Sequence, residues 1–397
     1  MMKPKSKLQI YSLPCFGFYK MQRSKMINRD VFYISGFDPR SYRYYYSMFK
    51  KNAYKTSKIQ SNKISISSIK DKEKPHFLID YKDTIIKYNF LNWNDIVTAN
   101  FVKGYFYIFW TIFIWLKAYI FSGLVFKFAK ETRTQLIAGF YPFLYILFSY
   151  LIVFLVIYFI WKIDLNLALF IFISLLVFYF SSKFIFYIGS KIGVFWLLSI
   201  YAFCYKYAKE NIKDIDDRID CFANQILENI KSNIDNKDHE IMIIAHSVGT
   251  ILAISVLAKV IEKCENNNIC IDNLKLVLLG ECIPLVSFHK FAIKFRNELE
   301  VLSKSKFTWL DFTSTIDGAC FPLFDYLKSS NIKTNSGCGP KFLSVRFFKI
   351  YEKATYKKIR YQWYKVHFLY LKATQINCGY DYFYLVCDGL KLENKTF

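Results

Sequence analysis

The sequence predicts an α/β domain with a largely parallel sheet, interrupted by a pair of membrane-spanning helices. Three observations predict it. Beyond residue 206, apolar runs of strand length alternate with helical patterns. The stretch 136–160 contains no charged residue, and a second uncharged run covers 165–182. An apolar strand runs straight into a serine-containing turn and an apolar helix at 240–262.

Composition sets the frame for these elements. A chain of 397 residues holds one large domain or two small ones. Hydrophobic residues make up 54% and aromatics 20%, more than a soluble domain carries, and much of the excess sits in one central block. The net charge of +23 is uneven, because residues 1–74 hold 17 Lys/Arg against 4 Asp/Glu. A basic segment of this kind suits nucleic acid or an anionic membrane surface. The apolar block selects the membrane, and neither zinc-finger spacing nor a nucleic-acid module is visible. An AT-rich genome would also supply Lys, Ile, Asn, Phe and Tyr in excess without any function attached. The amino terminus lacks the continuous apolar stretch of a secretory signal. The ten cysteines form no C-x-x-C pair and match neither a metal site nor a disulfide framework, so thiols in a reducing compartment are expected.

In chain order, the first strand is Val31–Ser35, ending in Gly36-Phe37-Asp38-Pro39-Arg40, with a tyrosine-rich helix from Ser41. Further strands are expected at 63–69 and within 81–91. Spans at about 136–161 and 165–182 are joined only by Trp161, Lys162, Ile163 and Asp164, which makes a tight hairpin. Lys127, Lys130 and Arg133 precede it and Lys183 and Lys191 follow, so both ends are expected on the cytoplasmic side. Two buried helices of a soluble core are the competing reading, although such helices rarely stay uncharged for so long. The stretches 106–126 and 192–204 are apolar but interrupted or short. They fit interfacial helices, and two or four spans both remain open. After the hairpin, Ile215, Ile219, Phe222, Ile226 and Ile230 mark an amphipathic helix. Strands follow at 240–245, 274–279 and 307–313, and the tail from Lys341 is basic and aromatic. The domain organisation read from this pattern is 1–103, an inserted membrane segment 104–205, and 206–397.

The chemistry centres on Ile241-Met242-Ile243-Ile244-Ala245-His246-Ser247-Val248-Gly249-Thr250. A sharp strand–turn–helix connection needs small residues around its serine. It lifts the hydroxyl above the sheet edge and aims a backbone N–H and the helix N-terminus at a developing oxyanion. A tight turn in an unrelated α/β protein would look the same. The segment resembles the α/β-hydrolase superfamily, specifically members with an A-H-S-x-G nucleophile elbow such as some bacterial lipases. Ala245 stands where the first glycine is usual.

That resemblance implies an α/β-hydrolase-like sheet carrying the membrane hairpin as an insertion, with Ser247 as nucleophile. It also implies an acid and a histidine following in that order. His289 comes too early and His246 lies inside the elbow, leaving His367 near the carboxyl terminus as general base. Asp317, in a loop after the 307–313 strand, matches the acid better than Asp311 within the strand, and Asp325 is a distant third. The choice between Asp317 and Asp311 stays open. The resemblance further implies oxyanion donors at the Val248 and Phe37 N–H groups, the latter made accessible by Gly36. No cofactor or metal is implied. The expected activity is a serine hydrolase acting on an ester or thioester, of lipid or other acyl substrate, through an acyl-enzyme. Membrane lipids are the expected partners and nucleic acid is not. The protein is expected to be multi-pass, with both termini and the hydrolase domain cytoplasmic. A non-catalytic hydrolase-fold protein binding a membrane partner is the alternative. A transporter ranks last because the spans carry few polar groups.

Overall fold

The computed structural model describes residues 11–12 and 28–395, apart from 83, 103 and 237. The remainder of the basic amino-terminal segment lies outside the described residues. Among the described residues, nine strands form one sheet: β1 (Tyr11–Ser12), β2 (Asn28–Ile34), β3 (Ser65–Ile66), β4 (His76–Tyr81), β5 (Thr84–Phe90), β6 (His239–His246), β7 (Leu274–Leu279), β8 (Thr308–Thr313) and β9 (Lys341–Ser344). Their spatial order is β1-β9-β8-β7-β6-β2-β5-β4-β3. All neighbours from β1 to β5 run parallel, and the antiparallel β4 and β3 close one edge. With helices against the sheet, the architecture is α/β-hydrolase-like.

The central strands are those the sequence makes most apolar. Every residue of β6 and β7 is buried, as parallel strands covered on both faces require. One face carries Val31, Tyr33, Met242, Ile244, Val277, Leu279, Leu310 and Phe312. It packs under the Tyr42–Gln60 helix and the carboxyl-terminal segment through Tyr370, Tyr380, Phe383 and Leu385. The Gly249–Asn266 helix lies against β2 and β6, between the Ile215–Ser232 and Ile293–Lys304 helices.

A buried ion pair ties the carboxyl-terminal segment to the start of the central strands. Arg29 Nε donates to Glu240 Oε2 at 2.7 Å. Its terminal nitrogens donate to the carbonyls of Val386, Asp388 and Leu390, while Glu240 Oε1 accepts the Leu392 N–H at 2.8 Å. The two terminal nitrogens of Arg29 and the second oxygen of Glu240 thereby each find backbone, the support that a charge pair removed from water needs.

Several local features depart from the sequence reading. The strand expected within 81–91 is β5, and the difference is its partner β4, which the pattern does not show, paired with it across a turn near Lys82 in the left-handed region. The 63–69 run pairs only at Ser65–Ile66. β9 was hidden in the basic tail, since a four-residue strand beginning with an exposed lysine carries little pattern. Cys204, Cys264, Cys282, Cys320 and Cys387 are buried free thiols, whereas Cys378 is disulfide-bonded, contrary to the expectation of thiols throughout.

The chain divides into two compact units, 1–97 with 213–397 and 98–212. The second contains two helices long and apolar enough to cross a membrane, Gln135–Trp161 and Leu167–Lys191. They pack as a hairpin, with the Tyr145 hydroxyl donating to the Ile185 carbonyl at 2.8 Å and the Tyr150 hydroxyl to Ser182 Oγ at 3.2 Å. Outward faces present Phe154, Phe172 and Phe180 more than half exposed, a surface suited to hydrocarbon rather than water. The second span runs to Lys191 rather than ending near 182. Lys183 and Lys191 lie over Tyr179 and Tyr187 at 4.4 and 4.2 Å, as cations near a membrane end do when their stems snorkel. The stretch 106–126 holds the Tyr105–Trp115 helix and a π turn at Leu116–Ile120, and with Leu124–Glu131 it makes a pair bent by 66°. Val194–Ala208 is a mostly buried helix rather than one with an open apolar face.

Two spans predict that the protein stays in the membrane pellet on alkaline extraction. Leu147→Arg places a charge on the outward face near the middle of the first span, at a cost of about 3 kcal/mol. A measurable share of that variant should move to the supernatant. Full extraction of the unaltered protein would rule out the spans.

Candidate active site

Parallel register brings the site together. Ile34 pairs with Ala245, and His246 with Leu279, so the loops after β2, β6 and β7 emerge side by side at one end of the sheet. The chain proceeds from β2 to β5 on one side and from β6 to β9 on the other. The boundary between β2 and β6 is therefore where the topology reverses, the place where open α/β sheets leave a crevice.

Ser247 occupies the turn between β6 and the Gly249–Asn266 helix, with φ of 58°. Its N–H donates to the Leu279 carbonyl at 2.9 Å, and its own carbonyl accepts from the Thr250 N–H and hydroxyl. These bonds hold a serine in a left-handed conformation that L residues adopt at a cost. Two glycines permit it. A Cβ on Gly249 would press into the backbone of Ser35 and Ile34, and a Cβ on Gly36 would stand 2.8 Å from Ser247 Cβ. The β2 loop thus lies directly against the serine. Phe37 is buried beside it, with its ring 6.3 Å from Trp93, and Trp93 Nε1 donates to the Ser35 carbonyl. The Ser247 hydroxyl is 3.9 Å from Cys282 Sγ.

Asp317 and His367 meet although 50 residues separate them. His367 Nδ1 lies 2.8 and 3.0 Å from the two Asp317 oxygens, and both side chains are fully buried. The Ala319 N–H also donates to Asp317, at 3.1 Å. Burial pushes the Asp317 pKa up, but the neighbouring His367, its hydrogen bond, the Ala319 N–H and Tyr370 together hold it below the ordinary value. Nδ1 facing a carboxylate carries the proton, which leaves Nε2 as the basic nitrogen.

The same region joins this pair to the serine turn. His246 Nε2 donates to the His367 carbonyl at 2.8 Å, and the two rings are 4.8 Å apart. A Cβ built on Gly280, the residue after β7, would fall 3.2 Å from Asp317 Oδ2 and 3.4 Å from His367 Cε1. Ser247, Asp317 and His367 therefore surround one strand end. Burial, and then the neighbouring His367, lower the His246 pKa to about 3, so its ring is a neutral donor. The sequence reading discarded His246 as pointing away from the serine. Its bond to the backbone of His367 is a supporting contact that no sequence pattern signals.

Asp311 sits elsewhere. In β8 it is fully buried near Glu281 and Tyr326. Burial raises its pKa to about 8, only partly offset by the Tyr326 hydroxyl, and burial together with Asp311 also raises that of Glu281. Asp325 caps a short helix by accepting the Lys328 N–H. His289 is buried against Phe291. Among the described residues, no group of three or more His, Cys, Asp and Glu side chains converges as a metal site. A cavity of about 450 Å³, lined by His239, Asp272, Lys275 and Lys306, opens at the opposite end of the strands and plays no part here.

The protonated Asp311 makes a pH prediction. The unfolded chain releases this proton near the ordinary carboxylate value, whereas the folded chain keeps it to about pH 8. Folded stability attributable to Asp311 is therefore full at low pH and declines as pH rises between those two values. Asp311→Asn should match the unaltered protein in thermal stability near pH 5 and exceed it near pH 8. Parallel melting curves across that range would contradict the assignment.

The chain matches no family model, no curated protein and no solved structure, so what the site does rests on its geometry.

Proposed function

We propose that the protein is a membrane-anchored serine hydrolase acting on an ester or thioester of a lipid or other acyl substrate. The observation that carries this reading is the convergence of Ser247, in a strained strand–helix turn, with the buried Asp317–His367 pair at the end of β7. On this reading the turn is a nucleophile elbow. Ser247 Oγ attacks the acyl carbonyl while His367 Nε2 takes its proton. The Val248 and Phe37 N–H groups stabilise the oxyanion, in keeping with the β2 loop lying against the serine. Asp317 fixes the His367 tautomer and stabilises the imidazolium. The imidazolium then protonates the leaving group, and His367 activates a water that releases the acid. No cofactor or metal takes part in this scheme.

The hydrolase unit on this reading is assembled from both sides of the insertion, following the 1–103 and 206–397 division. The 104–205 segment anchors it. In support of a cytoplasmic hydrolase domain and cytoplasmic termini on this reading, basic residues flank both ends of the hairpin.

A compact fluorophosphonate applied to membranes containing the protein tests the chemistry. It should label the unaltered chain and fail on Ser247→Ala. Labelling rate should fall by about 10³-fold or more in His367→Ala, and strongly in Asp317→Asn, whose amide favours the wrong tautomer. No labelling of folded, unaltered protein would overturn the reading in favour of a non-catalytic protein that binds a membrane partner.

A further inference from the structure

The segment just before His367 has a surface that its own fold leaves uncompensated. Between residues 352 and 365 lie two short helices, Lys353–Ile359 and Trp363–His367, with almost every side chain exposed or half-exposed. Lys353, Lys357, Lys358, Arg360 and Lys365 are exposed cations, and Glu352 is the one acid in this stretch. None of the five makes an ion pair among the described residues. Exposed lysines do form ion pairs in a few other places, as in Lys74–Glu228 and Lys294–Asp216. Interleaved with the cations are Tyr361 (71% exposed), Tyr364 (44%) and Trp363 (43%), and nearby Phe348 is 57% exposed.

This surface belongs to the site end of the sheet. A Cβ on Gly318, next to Asp317, would touch the Trp363 ring at 3.4 Å. The Tyr364 hydroxyl accepts from Arg40 at 2.7 Å, and Arg40 follows the β2 loop that lies against Ser247. The connections to the 98–212 unit leave from the same end. β5 ends at Phe90 beside β2, and Arg218, in the first turn of the returning helix, donates to the Asn92 carbonyl and to Asp95. Within the 1–97 and 213–397 unit, Phe90 and Arg218 therefore both lie where the parallel strands end.

We infer that the exposed surface of residues 353–365 docks on the anionic headgroup layer of the bilayer and sets the Ser247 site against lipid. Charge complementarity selects the occupant. Lysines and an arginine without an acidic partner attract an anionic surface, while tryptophan and tyrosine place an apolar ring and a polar edge in the interfacial layer. The spanning helices hold that layer at high local concentration, so a contact too weak to bind alone persists. An RNA or an acidic protein would satisfy the cations but receives no comparable tether. The contact does not depend on catalysis, but its consequence, delivery of a lipid acyl group to Ser247, rests on the hydrolase reading.

The test uses full-length protein in vesicles of phosphatidylcholine, with or without phosphatidylserine. A photo-crosslinking benzoylphenylalanine replaces Tyr361 or, as a control, the exposed Ile234 at the opposite end of the strands. Lipid adducts should form at position 361 and not at 234, several-fold more with phosphatidylserine. The combined change Lys357→Glu, Lys358→Glu, Arg360→Glu should lower them by roughly tenfold or more. High salt should lower them too. Absence of lipid adducts at 361, equal adducts at both positions, indifference to charge, or crosslinking to nucleic acid or another protein would each overturn the inference. Fluorophosphonate labelling of the same proteins in detergent reads the serine separately. Labelling without lipid adducts sinks the docking surface alone, and adducts without labelling sink the hydrolase reading alone.

Discussion

The close approach of the β2 loop to the Ser247 turn is the constraint on which the site depends. Gly249 has no Cβ because the Ser35 and Ile34 carbonyls fill that space, and Gly36 has none because Ser247 does. Any side chain at either position would push the Gly249–Asn266 helix off β2 or lift the β2 loop from the serine. The hydrogen bonds from Ser247 N–H to Leu279 and from Thr250 back to Ser247 then lock the left-handed turn. The strain is affordable because the strands beneath it are buried on both faces and cannot shift without exposing a continuous apolar layer.

Long-range support comes from elements with no chemistry of their own. Arg29 and Glu240, at the far end of β2 and β6, hold the backbone from Val386 to Leu392. That segment closes the carboxyl-terminal layer, whose Tyr380 hydroxyl bonds the Tyr370 carbonyl three residues beyond His367. Fixing the tail at one end of the strands thus fixes the histidine at the other. His246 completes the arrangement through the His367 carbonyl. Neither link carries a sequence signature, because each joins residues more than a hundred positions apart and neither follows a period.

What the sequence does reveal is local. The apolar strand, small-residue turn and helix at 240–262 are legible because their pattern is continuous, and the spans because charge is absent over a membrane's width. β9 is not legible, since Lys341–Ser344 is short and begins at an exposed lysine. β4 is not legible either, since His76–Tyr81 mixes a histidine and an aspartate with its apolar residues. Choosing between Asp311 and Asp317 was beyond pattern as well. Both follow apolar residues, and only three-dimensional placement puts one against His367 and the other near Glu281.

That placement gives the carboxyls of this region opposite electrical states for a stated reason. Asp317 is buried but has a histidine, a backbone N–H and a tyrosine hydroxyl facing it, so its negative charge is compensated. Asp311 and Glu281 are buried with each other as the nearest ionisable acid, and a second charge there would repel the first in a medium too apolar to screen it. Both are therefore held toward the neutral form. Asp317 is thus the one of the three whose surroundings favour the ionised form, and it is the one placed against His367.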